Sequence, residues 1–162
     1  CTPGWLRAWV VDEAEPLPLP RSAPLGAPTP GLRLLTLCRR RAGLSRAEFA
    51  RVWREEHARV ALSFAVPPRG YTQDVVLECL APPDDVDGIA GLHFASHAEF
   101  DARYREHPED AARGLDDAAR FMDLERGESA FAIETVHRDS APPGGEPTHG
   151  RTRRATRRSP PC

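Results

Sequence analysis

Two Ser-x-x-Glu tetrads limit most tightly what this chain can fold into: Ser45-Arg46-Ala47-Glu48 and Ser96-His97-Ala98-Glu99. Each has the form of a capping box, in which the serine hydroxyl takes the glutamate amide and the glutamate reaches back. Each follows a short apolar run. The first, Leu32 to Cys38, is too short for a helix and apolar on both faces, as a central strand covered on both sides must be. The second, Gly88 to Phe94, also reads as a strand. Behind the first box, Phe49, Val52, Trp53, His57, Val60, Ala61 and Phe64 recur at three- and four-residue spacing. They form one apolar stripe, and Pro67-Pro68 ends the helix. Gly70 to Leu80 reads as a strand and residues 81–86 as a loop. The second box opens a helix with Phe100 and Tyr104 on one side. Pro108 breaks that helix and starts another helical segment running to about Met122. Ser129 to His137 reads as the last strand.

The order is β-α-β-β-α-β, the split βαβ of an α+β, ferredoxin-like fold. Right-handed crossovers place both helices on one face of a four-stranded antiparallel sheet. Leu34, Leu35, Val75, Val76, Leu92 and Ile133 fall on both strand parities, so the second face also needs cover. A second copy of the same sheet is the cheapest cover, which predicts a homodimer or pairing with a tandem copy.

The 162 residues amount to about one domain. Residues 32–138 carry the periodic pattern. Residues 4–13 share a Gly, small, aromatic, aliphatic, acidic pattern with residues 127–135, so 1–15 reads as the last strand of a preceding similar module. On that reading the chain is a fragment. The proline-rich stretch 16–31 reads as an extended linker. Residues 139–162, rich in arginine and proline, read as a disordered tail. The tail's arginines have no aromatics between them to stack on bases, and the net charge is −2, so no nucleic-acid partner is expected. All 22 basic residues are arginine, which points to codon bias rather than phosphate recognition. No run approaches the length of a membrane span. Four cysteines without a C-x-x-C fit a cytoplasmic protein.

The segments RRRAGLSRAEFARVWREEHARV, GYTQDVV, VDGIAGLHFAS and DDAARFMDLERGESAFAIETVH resemble EthD-type domains of the dimeric α+β barrel superfamily. The most specific match is Phe49, Trp53, His57 and Ala58, which fits that family's aromatic-x3-Trp-x3-His-Ala helix. The second is Asp87-Gly88-Ile89-Ala90 followed by Phe94. The resemblance implies a ferredoxin-like subunit whose sheet pairs into a barrel. The family is named for a component required in oxidative degradation of an alkyl ether. Its relatives include decarboxylases, dehydratases and cyclases of aromatic or polyketide compounds. This chain departs at Gly91 and His93, where the family commonly has an acidic residue and a bulky aromatic, and at Asp74, where an amide is frequent.

No phosphate loop, dinucleotide fingerprint, nucleophile elbow or H-E-x-x-H occurs, and neither a cofactor nor a metal is expected. A pocket remains. His57, on the inner stripe one turn from Trp53, is suited to proton transfer, and equally to a backbone hydrogen bond that holds helix to sheet. His57, Tyr71 and Asp74 are the catalytic candidates. Trp53, Gln73, His93 and Phe94 are the substrate-binding candidates. The ligand expected is a hydrophobic or aromatic small molecule. Three functions fit: a component of its oxidative degradation or modification, a cyclase, dehydratase or decarboxylase, and a non-catalytic ligand-binding or scaffold module.

Overall fold

A computed structural model describes residues 7–81 and 83–137. Five strands form one sheet in the order β1-β3-β4-β2-β5. They are β1 (Ala8–Leu17), β2 (Leu32–Cys38), β3 (Gly70–Ala81), β4 (Gly88–Phe94) and β5 (Glu128–Ala132). Every pairing is antiparallel. The last four strands have the split βαβ order the sequence implies. The expected four-stranded sheet is nevertheless incomplete. β1, which the sequence reading places in a neighbouring module, pairs along β3 from Ala8↔Ala81 to Leu17↔Tyr71. β3 has 12 residues, and without β1 its outer edge would be a long row of unpaired amides and carbonyls.

Three helices, and a short 3-10 turn at Leu124–Arg126, join the strands among the described residues. Helix α1 begins as Arg46–Arg51, passes through a π-helical stretch Val52–His57 and ends as Ala58–Leu62. Its capping box is complete: Ser45 Oγ accepts from the Glu48 amide at 3.2 Å, and Glu48 Oε2 accepts from the Ser45 amide at 3.0 Å. Helix α2 is His97–Asp101, continued by a π-helical Ala102–Glu106. Its box is half made. Ser96 Oγ accepts from the Glu99 amide, but Glu99 turns to the Ala95 amide and to Arg69. Helix α3, Pro108–Ala118, carries proline in its first turn, where a missing amide costs nothing.

The helices cover one face of the sheet, where Phe49, Val52, Trp53 and Phe121 pack on Cys38 and Val75. Leu34, Thr36, Tyr71, Ala90 and Leu92 belong to this face, and Arg33, Thr72, Asp74, Gly91 and His93 to the other. The far face is therefore partly polar, and the chain supplies some of its cover. The segment between β1 and β2 crosses its end, held by the Gly26 amide on Val136 O (2.8 Å), the Thr29 amide on Glu134 O (2.7 Å) and a Pro28–Thr135 bridge. These bonds take over the backbone beyond Ala132, which is why the last strand stops short of His137. Residues 1–6, 82 and 138–162, with the expected tail at 139–162, lie outside the described residues.

Candidate active site

Between the sheet and helices α1 and α3 lies a cavity of about 330 Å3. Leu34, Cys38, Ala90 and Leu92 form its floor. Trp53, His57, Ala61 and Phe64 come from α1 and the turn after it, and Ala111, Gly114, Leu115 and Ala118 from α3. Its lining is mostly apolar, with a few polar groups, as small-molecule sites commonly are. Gly114 keeps it open, since a Cβ there would meet the Phe64 ring at 2.6 Å.

His57 is the titratable group of interest in this wall. Its Nδ1 is 2.8 Å from Asp117 Oδ2, and its ring packs on Phe121 with centroids 5.1 Å apart. Burial works to raise the Asp117 carboxyl, but the bonds from His57 and Arg120 prevail and hold it below the ordinary range. Asp117 is thus an anion, Nδ1 carries the ring hydrogen, and Nε2 presents its lone pair. Nε2 has no protein partner among the described residues and is not sealed from the surface. Burial pushes the imidazole below its ordinary value, against the pull of Asp117. The ring is neutral near pH 7 and able to accept a proton. Arg120 bridges Asp117 Oδ1 (2.7 Å) and Glu56 Oε2 (2.5 Å), fixing the carboxylate from behind.

A second polar group comes from β3. Tyr71 is buried, and its phenol oxygen accepts from Trp53 Nε1 at 3.0 Å and from Gln73 Nε2 at 2.8 Å. Both bonds bring hydrogens to the oxygen, so the phenol's own hydrogen is left to donate. Burial pushes the phenol up, so it stays protonated. Gln73 also donates to the Trp53 carbonyl at 3.0 Å, the carbonyl that accepts the π-helical bond from the Ala58 amide. One glutamine thus fixes both the phenol and the π-turn that carries Trp53 and His57. Such turns often mark functional sites.

The sequence-predicted residues therefore separate. His57, Tyr71 and Trp53 line the cavity and Gln73 stands behind them. Asp74, a catalytic candidate, is on the opposite sheet face. Strand parity forbids it from joining Tyr71 and Gln73. Burial, then the neighbouring Glu13, pushes its carboxyl up to about 6. His93 is also on the far face, with Nε2 2.9 Å from the Pro30 carbonyl. Phe94 faces the helices but is not in the cavity wall; it packs edge-on to Phe100 at 5.6 Å.

Two contributors escaped the sequence reading. Asp117, near the end of α3, is the partner of His57. Arg103, only 2% exposed, reaches into the wall from α2 and donates to the carbonyls of Ala61 (2.9 Å) and Val66 (2.5 Å), closing the end of α1. Its guanidinium lies 4.3 Å over the Phe64 ring. Cys38 on the floor is inert as a nucleophile, since burial pushes its thiol up to about 12. Among the described residues no group of three or more His, Cys, Asp or Glu could hold a metal ion, and no helix is long and apolar enough to cross a membrane.

The EthD domain family matches residues 41–125, just over half of the chain. The chain belongs to the EthD domain family. No curated protein matches it. The matched region of this EthD domain spans α1, β3, β4, α2 and α3, and contains His57, Tyr71, Gln73, Arg103 and Asp117. β1, β2 and β5 lie outside it.

Proposed function

We propose that this EthD domain binds a hydrophobic, aromatic-sized small molecule between sheet and helices and moves a proton on it. The observation that carries this reading is the His57–Asp117 pair on a mostly apolar cavity. Nε2 of His57 acts as the base that takes an acidic proton from the ligand, and returns it as the acid in a later step. The Tyr71 hydroxyl donates to a ligand oxygen as negative charge builds there. Proton transfer of this kind serves isomerisation, dehydration, cyclisation or decarboxylation of a carbonyl or phenolic compound. It also fits a supporting step in the oxidative modification of such a compound.

The test begins with a thermal-shift screen of hydrophobic aromatics against the 162-residue chain. A compound at 100 times its Kd adds about 2.7 kcal/mol. Turnover of the compounds found is then compared between the natural chain and His57→Gln. A fall of about 10²–10⁴-fold in turnover with binding kept supports the reading. Binding that persists with no turnover in either protein identifies a carrier module instead.

We also propose that the chain pairs with a second copy across the far sheet face, where Leu35, Leu37 and Ile89 remain only partly buried. Light scattering at micromolar concentration should then give twice 17.9 kDa. A stable monomer would remove the barrel from this account.

A further inference from the structure

Among the described residues, Arg103 is the one permanently charged side chain in the wall of the His57 cavity. It is 2% exposed and comes from the π-helical end of α2. A guanidinium keeps its charge throughout the working pH range. Buried charges are normally paired, because water no longer offsets them. Arg103 has no such pair among the described residues. Its bonds go to the neutral carbonyls of Ala61 and Val66, and it lies over the rings of Phe64 and Tyr104. Its Nε is buried without an acceptor. The carbonyl end of α1 offers partial negative charge, not a whole one.

Asp117, Glu56 and Asp110 each have an arginine already. Arg120 bonds both Asp117 and Glu56, and Arg113 bonds Asp110 at 2.7 Å. The charge of Arg103 nonetheless reaches the two polar groups of the cavity. Burial dominates at both, lowering His57 and raising Tyr71. Among the further influences, Arg103 favours the less protonated form of each. The empty cavity therefore carries a positive field, and a ligand that holds negative charge there would balance it.

We propose that the cavity holds its ligand, a one-ring phenol or enol, as an oxyanion, and that Arg103 supplies the balancing charge from the wall. A cavity at the lower end of the usual ligand range suits a single ring. The proton follows the role proposed for His57, on which this step rests. The ligand O–H bond breaks, the proton goes to His57 Nε2, and the electron pair stays on the oxygen, to which the Tyr71 hydroxyl donates. The imidazolium is then matched by Asp117 and the oxyanion by Arg103. Because Nε is sealed, Arg103 acts through its field, as a positioning residue and not by touching the ligand. A fixed charge in a site that excludes water acts more strongly than one in solution.

The probe is para-nitrophenol, whose absorbance separates phenol from phenolate, titrated into the full chain. The bound probe should ionise at lower pH than the free one, with the phenolate binding at least about tenfold tighter than the phenol. An apolar cavity alone does the reverse, because burial disfavours the charged form. In Arg103→Met the shift should vanish or change sign, an effect that a purely structural role for Arg103 would not produce. Should that variant fail to fold, the neutral analogue para-nitroaniline decides on the natural chain, where the phenolate should bind at least about tenfold tighter. The shift should survive in His57→Gln, where the base is gone. Loss of turnover in His57→Gln and loss of the shift in Arg103→Met thus separate the two readings. A bound probe that ionises at or above the pH of the free one, a shift lost in His57→Gln or kept in Arg103→Met, equal binding of para-nitroaniline, or no saturable binding at millimolar probe would each overturn the proposal.

Discussion

Asp117 Oδ2 lies 2.8 Å from His57 Nδ1, across sixty residues of chain and between helices α1 and α3. That distance decides which nitrogen of His57 is free. Asp117→Asn keeps the size of the group but removes its charge. The imidazole should then titrate at still lower pH, and its tautomer should no longer be fixed. Histidine NMR over pH 4–8 reads both effects. An unchanged titration would show that Asp117 does not orient the ring.

The His57 ring also leaves a mark on stability. Its folded-state value lies below the unfolded one, chiefly through burial. As pH falls below the ordinary imidazole range, the unfolded chain takes up a proton that the folded chain refuses. The stability contributed at neutral pH is then lost progressively down to the folded value. Chemical denaturation of His57→Gln at several pH values between 4 and 8 should show that this loss is missing.

Asp74 gives the opposite sign. Its carboxyl is raised to about 6 in the fold by burial and by Glu13, well above its unfolded value, and its Oδ1 is buried without a partner. The stability linked to its proton is complete below the unfolded value and disappears as pH rises through about 6. Asp74→Asn should therefore gain on the natural protein at pH 8 relative to pH 4. Melting temperatures at the two pH values supply the comparison, and an equal difference at both would refute the raised value.

Gln73→Leu should cost about 2 kcal/mol, because Gln73 is 1% exposed and its loss removes a donor from both the Trp53 carbonyl and the Tyr71 hydroxyl. Urea denaturation measures it. If the π-turn depends on that bond, the near-ultraviolet circular dichroism of the folded variant should change as well.

Gly88→Ala tests the packing of Trp53. A Cβ at Gly88 would lie 2.3 Å from the Trp53 ring. The ring must shift, stretching its bond to Tyr71, at a cost of about 1–3 kcal/mol. A variant as stable as the natural chain, with unchanged tryptophan fluorescence, would show that the contact is looser than the geometry gives.

Local patterns in the sequence determined the local structure. Ser45 and Glu48 sit three apart, close enough to bond each other before any tertiary contact exists, so α1 starts where the tetrad stands. The stripe from Phe49 to Phe64 set which side of α1 meets the sheet, and with it the inward direction of His57 and Trp53. Alternation along β3 put Tyr71 and Gln73 on one face and Asp74 on the other, although it could not say which face carried the cavity. Tertiary structure alone decided what depends on distant partners. The carboxylate that reaches His57 was one of several acids on α3, and only the packing of α3 on α1 selected Asp117. His93 met Pro30 instead of His57 because strand register fixed its side of the sheet. β1 became the fifth strand because β3 was long enough to leave an edge for it. A capping box is a contact across three residues, and its signal is written side by side in the chain. A dyad sixty residues apart, or an edge strand pairing across more than fifty, exists only once the sheet brings the two segments together.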